Sequence, residues 1–260
     1  MMRHSILVIL FLVFAGVAFA QTPKAVEREF VGYLDNISKY GNYNGGYDDE
    51  KLAKNNADLR DKLLKYGKRA DTLKFGFPGL KDKMYVTTSK DGRLRIYSWD
   101  QETGGTMHDF ASVFQYKGKS GKVYSWAETL EDESAGVFYH QIFQTDVPGG
   151  PIYLGVSTFI GSTSLAGQTL KAFRINGEKL DTEAKVVKTT TGIKNSVGFA
   201  FDFFTVVDHP ERPVRLFSYN EANRSFRFPV VIEDKRTPQG RVTSKFITYR
   251  FDGKYFVKVS

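Results

Sequence analysis

Apolar positions along this chain of 260 residues follow three successive spacings. Ile6 to Phe14 is one unbroken apolar run. From Val26 to Leu64 apolar side chains return every three or four positions, and beyond Lys81 they alternate with polar ones. Three- and four-residue steps mark an amphipathic helix; alternation marks a half-buried strand. Val26, Phe30, Tyr33, Leu34 and Ile37 would share one face, which predicts a helix over 24–40. Gly41-Asn42-Tyr43-Asn44-Gly45-Gly46 then breaks the chain. Asp48 is placed to cap a second helix, and Asp49 and Glu50 suit its positive end. That helix carries Leu52, Leu59, Leu63 and Leu64 and fades at Tyr66-Gly67. The two predict a helical hairpin, closed by the turn-rich linker Phe75-Gly76-Phe77-Pro78-Gly79.

From about residue 81 short aromatic and β-branched runs are separated by turn dipeptides. Asp91-Gly92, Asn176-Gly177 and Asp252-Gly253 each sit between such runs, which is a hairpin signal. Asn220 to Asn223 is a longer-loop version. Leu94 to Asp100 is echoed by Val214 to Asn220 and, more briefly, by Val123 to Trp126. Unevenly spaced echoes fit an irregular propeller-like sheet, but an antiparallel meander or sandwich explains the same hairpins. The expected fold is mainly β with an N-terminal helical hairpin. Its divisions are a signal peptide at 1–20, the hairpin and linker at 21–80, and an antiparallel β domain at 81–260.

The amino terminus changes the picture most. Met1-Met2-Arg3-His4, the apolar run and Ala18-Phe19-Ala20 form a secretory leader with cleavage expected before Gln21. The apolar stretch is shorter than the roughly 20 residues that span a bilayer, and no later run approaches that length. Residues 1–20 contain Arg3 and no acid, so the remainder keeps 36 Lys and Arg against 29 Asp and Glu, a net charge of +7. These basic residues are scattered, Lys68-Arg69 being the densest pair, so a nucleic-acid partner is not expected. The chain has no cysteine. Disulfides, a lipid-modified cysteine, a cysteine nucleophile and a His-Cys zinc site are thereby excluded. The location expected is the periplasm or the cell exterior, with no membrane span after the leader is removed.

Candidate chemistry concentrates in Tyr97-Ser98-Trp99-Asp100-Gln101-Glu102-Thr103-Gly104-Gly105-Thr106-Met107-His108. Trp99 could stack on a ligand ring, Asp100 could accept hydrogen bonds, and Gly104 and Gly105 allow close backbone approach. His108 could act as acid or base. Turn chemistry alone also explains these residues, His108 excepted, with Trp99 and Met107 as core. In Phe138-Tyr139-His140-Gln141-Ile142-Phe143-Gln144, alternation puts Phe138, His140, Ile142 and Gln144 on one face. There His140 reads as a core histidine. If it met His108, the pair with Asp100 or Glu128 would make an acid–base or metal site. His209, in the charged turn Asp208 to Pro213, reads as solvated. Zinc-protease, serine-elbow, phosphate-loop and dinucleotide motifs are absent, so neither a cofactor nor a metal is called for.

Arg95-Ile96-Tyr97-Ser98-Trp99-Asp100 with Gly104-Gly105-Thr106-Met107-His108 resembles a pattern in uncharacterised secreted bacterial proteins, notably from Bacteroidetes. Tyr249-Arg250-Phe251-Asp252-Gly253-Lys254-Tyr255-Phe256 is similar to their carboxyl ends. The resemblance implies an exported bacterial protein and carries no activity. The expected function is therefore a non-catalytic binding protein of the bacterial envelope. Its partner would be a protein or a glycan, engaged by aromatic strands around Trp99 and Trp126 and by the Gly104-Gly105 turn. One alternative is a secreted hydrolase using His108 and His140 with Asp100 or Glu128. Another is a periplasmic inhibitor or immunity protein.

Overall fold

A computed structural model describes residues 21–129 and 135–259. The leader expected at 1–20 lies outside the described residues. Two long helices form as the spacing predicts: α1 (Pro23–Tyr40) and α2 (Asp49–Tyr66). Thr22 caps α1 by accepting from the Ala25 N–H, and Asp48 caps α2 by accepting from Lys51 N–H at 3.1 Å. A short helix, α3 (Ala70–Lys74), precedes the stretch read as linker, and one 3-10 turn at Pro78–Leu80 closes it.

Fifteen strands follow among the described residues. β1 (Tyr85–Thr88), β2 (Leu94–Asp100), β3 (Phe110–Lys117) and β4 (Val123–Ala127) form a first antiparallel sheet in that order. β5 (Phe138–Thr145), β6 (Ile152–Ile160), β7 (Leu165–Asn176), β8 (Lys179–Asp181) and β11 (Ser196–Asp202) form a second, ordered β11-β7-β6-β5 with β8 on β7. The third is β10-β9-β15-β14-β13-β12. It uses β9 (Val187–Thr189), β10 (Gly192–Lys194), β12 (Ser218–Asn220), β13 (Ser225–Ile232), β14 (Arg241–Phe251) and β15 (Phe256–Val259). Its β9–β15 ladder is parallel. The hairpins expected at Asp91-Gly92, Asn176-Gly177, Asn220 to Asn223 and Asp252-Gly253 join β1 to β2, β7 to β8, β12 to β13 and β14 to β15.

Alternation within the strands sets the layers. Tyr97, Trp99 and Val113 on one face of the first sheet pack with Val26, Phe30, Leu59 and Leu63 of the helices. Leu94, Ile96 and Phe114 on its other face meet Tyr139, Tyr153 and Phe173 of the second sheet. The reverse face of that second sheet, Ile152, Leu154, Val156 and Leu170, meets Phe217, Phe226, Phe228 and Phe256 beside or within the third. The order is thus helices, sheet, sheet, sheet. Both faces of the middle sheet are covered, which is why β6 is buried from Ile152 to Thr158. Each fully buried large apolar side chain contributes about 1.5–3 kcal/mol relative to its exposed state. The echoing segments do not occupy equivalent places: Leu94–Asp100 is an inner strand, Val123–Ala127 an edge strand, and only Ser218–Asn220 of the third is a strand. The repeat therefore does not build propeller blades, and no barrel is closed.

Arg95 ties the helical layer to the first sheet. It is 5% exposed. Its Nη1 donates to the carbonyls of Thr72 and Phe75 at 3.0 and 2.8 Å, and its Nε to Thr88 Oγ1 at 2.8 Å. The guanidinium also lies against the Phe77 and Tyr97 rings. Replacing it strips the half-buried Phe75 carbonyl of this donor and leaves the Thr72 carbonyl with the Phe75 N–H at 3.3 Å, an unsatisfied acceptor costing about 1–3 kcal/mol. Arg95→Met, which keeps the bulk, is expected to lower unfolding stability by about 2–4 kcal/mol. A urea midpoint equal to wild type would show that this clamp contributes nothing.

Candidate functional site

β2 ends at Asp100, and the loop that follows folds back on it. Asp100 Oδ1 accepts from the Glu102 N–H at 2.8 Å, an Asx turn. Thr103 Oγ1 donates to Asp109 Oδ2 at 2.6 Å, and the Gln101 N–H to the Asp109 carbonyl at 2.7 Å. From the helical side, the Asn42 side chain donates to the carbonyls of Thr103 and Gly104. From the sheet side, the Ile160 carbonyl accepts from the His108 N–H at 3.1 Å. Gly104 has to be glycine, because a Cβ there would meet the Met107 carbonyl oxygen at 1.9 Å. Gly41 has a matching role, since a Cβ would meet Glu102 Oε2 at 2.2 Å. Gly105 is exposed with open space around it and is free of such a constraint.

This framework puts His108 Nδ1 2.5 Å from Asp100 Oδ2, both side chains partly buried. A carboxylate only accepts, so the ring proton sits on Nδ1 and Nε2 is left over. Tyr43 covers the imidazole with its ring centre 4.9 Å away. Burial raises the Tyr43 hydroxyl far above the ordinary phenol range, assisted by Asp100, Glu102 and Asp109. Glu102 is raised by burial and then by Asp100, against a hydrogen bond from Ser38 and the pull of His108. Glu102, Phe77 and Asp82 all hold positive φ near this site (54°, 48° and 63°), a backbone state that side chains rarely adopt.

His108 stands where two cavities adjoin. One, of about 400 Å³, is mainly apolar and is walled by Phe138, Ala166, Phe201, Phe203 and Val214. The other, of about 740 Å³, has Lys81, Asp82, Lys83, Asp100 and Arg215 in its walls. Tyr85, His108, Ile160, Arg212 and Pro213 line both. The charged turn Asp208 to Pro213 thus supplies a wall of the cleft through Arg212 and Pro213. Its His209 points to a different partner, Glu211 Oε1 at 3.1 Å, which holds Glu211 down at about 2.

His140 shares the larger cavity with His108. Phe110 and Phe138 lie between the rings: centroids run His108 to Phe110 at 6.1 Å, Phe110 to Phe138 at 4.7 Å, and Phe138 to His140 at 5.8 Å. His140 Nε2 is 3.1 Å from Thr158 Oγ1, while Nδ1 is sealed from solvent without a partner. Burial, then Arg215, pulls its pKa down to about 3, so the ring is neutral near pH 7 and is a poor general base there.

The alternation expected through this strand is also corrected. β5 pairs Tyr139 with Ser157 but Gln141 with Val156, so His140 is the extra residue of a β-bulge. Beyond it Ile142 joins Tyr139 in the cluster shared with the first sheet, and Phe143 packs toward the third.

Other expected residues lie elsewhere. Glu128 lines neither cavity; its Oε1 lies 3.4 Å from the Tyr139 hydroxyl and 3.8 Å from Lys171 Nζ. Burial raises Glu128 above the usual carboxylate range, against Lys171 and Tyr139. Trp99 is 1% exposed, and its indole N–H donates to Asn56 Oδ1 at 2.9 Å. It backs the wall of the larger cavity, but at this exposure almost none of its ring is open for the stacking expected of it. Trp126 is half-buried against Phe114 at 5.2 Å. No group of three or more His, Asp or Glu side chains that could hold a metal is present among the described residues. Tyr85, Phe138, Arg212 and Arg215 escaped the sequence reading, because residues so far apart carry no shared local signal. No protein-family model matches the chain, and neither a curated protein nor a solved structure shows significant similarity to it.

Proposed function

We propose that this chain is an exported bacterial envelope protein that binds a ligand in the cleft at His108, without catalysis. The observation that carries this reading is the pair of adjoining cavities sharing Tyr85, His108, Ile160, Arg212 and Pro213. Their volumes fall within the roughly 300–1,000 Å³ of small-ligand sites. The ligand enters as a small molecule or as the end of a longer envelope chain, glycan or protein. Export rests on the leader-like residues 1–20, and fractionation of expressing cells tests it.

Native mass spectrometry of the purified protein after exposure to envelope extract is the functional test. A bound component is expected on the wild type and on Trp126→Ala. It should be lost from Ile160→Arg, which places a large charge between the cavities. Equal loading of Ile160→Arg, with circular dichroism unchanged, would refute the cleft as the site. A second reading, a hydrolase, draws on the 2.5 Å His108–Asp100 contact. It requires turnover of an envelope substrate that both His108→Ala and Asp100→Asn abolish.

A further inference from the structure

The charges in the cleft are unevenly compensated. In the larger cavity Lys83 is paired with Asp35, while His108, with its one ring proton on Nδ1, hydrogen-bonds Asp100 without cancelling its charge. That leaves Lys81, Arg212 and Arg215 against Asp82 and Asp100. Lys81 and Arg215 make no ion pair among the described residues. Arg212 donates from Nη1 to the carbonyls of His209 and Glu211 and from Nη2 to that of Val207, neutral oxygens that leave its charge in place. Its guanidinium lies 5.7 Å over the ring of Phe203, a wall of the smaller cavity. A positive charge thus sits at the seam that His108 also lines.

The smaller cavity is mainly apolar; away from the seam its polar lining is Thr106, Thr158, Ser162, Thr163 and Gln168. Gln168 is 1% exposed and spends both ends of its amide on Val214 and Leu216. Thr158 is engaged by His140, and the Ser162 hydroxyl accepts from the Ser164 and Leu165 N–H groups. Tyr85 and Phe138 stack at 4.2 Å across its mouth. A group placed there gains by leaving water and has few hydrogen bonds to make.

We infer that the cleft binds an amphipathic anion, its aliphatic or aromatic body in the smaller cavity and its acidic group at the seam with Arg212, on the side of the larger cavity that Arg215 lines. This rests on the cleft being the binding site and adds the class of ligand. Such a molecule could be a free amphiphile or an anionic envelope lipid; both present the same acidic group on an apolar body.

Calorimetry with decanoate tests it, using decanol and decyltrimethylammonium as equal-length neutral and cationic controls. Decanoate is expected to bind the wild type best, and more weakly as salt rises, because the head group is held by charge. Arg215→Gln, at an exposed position, should weaken decanoate about tenfold and leave decanol unchanged. Ala166→Leu, which fills the smaller cavity, should weaken both. Sedimentation with phosphatidylglycerol vesicles separates the sources: binding that decanoate competes away marks the lipid, and its absence marks the free amphiphile. The inference is overturned if decanol or the cation binds as tightly as decanoate, or if Arg215→Gln changes nothing. Loss of both ligands in Ala166→Leu alone would keep the cleft as the site and remove only the acidic group. No calorimetric binding of any of the three overturns the ligand class, and the envelope-extract test then decides separately whether the cleft binds at all.

Discussion

Trp99→Ala is expected to cost about 3–5 kcal/mol of unfolding stability, the largest effect of any single truncation proposed. The ring is 1% exposed in the cluster between the helices and the first sheet. Removing it empties a large volume in a close-packed interior and strands Asn56 Oδ1. Asn56 also donates to the carbonyls of Leu52 and Gln101, so the damage reaches the loop that carries Asp100 and His108. Trp99→Phe keeps most of the packing but not the N–H, and should cost about 1–3 kcal/mol. Urea titration checks both. A ligand-stacking residue would behave oppositely, losing binding while keeping its midpoint, and that result would remove Trp99 from the core.

Acidification should destabilise the protein through His140. In the unfolded chain the ring titrates near 6.5; in the fold burial and Arg215 hold it near 3. Between those values the unfolded state binds more protons, so stability falls as pH drops through 6.5 toward 3. The contribution is fully present above 6.5. The gap corresponds to about 5 kcal/mol as an upper figure, since the ring keeps a partly exposed edge. Glu128 and Glu102, both raised, act in the opposite sense over their own range. The comparison of wild type with His140→Gln therefore isolates the histidine. The variant is expected to lose less stability between pH 7 and pH 4, measured by urea midpoints. Parallel curves would show that His140 does not carry the acid sensitivity.

What could be read from the chain alone follows the range of the forces involved. Helices α1 and α2, the Asp48 cap of α2 and four hairpins depend on neighbours within a few residues, and these were legible; the Thr22 cap of α1 was not read. The meeting of Asp100 with His108 belongs to the same class, being one turn at the end of one strand. The bulge at His140 was not, because alternation cannot announce a residue that breaks it. Trp99 admitted two readings from its local context, and only the helix laid over it by Asn56 decides between them. The cleft was hidden altogether. Its walls come from residues 76–86, 99–110, 138–140, 158–168 and 201–215, which meet only when the layers stack.

The third sheet carries a consequence for how the chain reaches its folded state. β15 lies inside that sheet, between β9 and β14, although it is drawn from residues 256–259. Phe256 is wholly buried among Phe226 and Phe251. Until that segment is in place, β9 and β10 have only each other, with no strand to link their hairpin to β14. Pairing between such distant segments is slow to nucleate. The parallel β9–β15 ladder is thus a late step of folding, and it is the step that joins the β9–β10 hairpin to the rest of the third sheet.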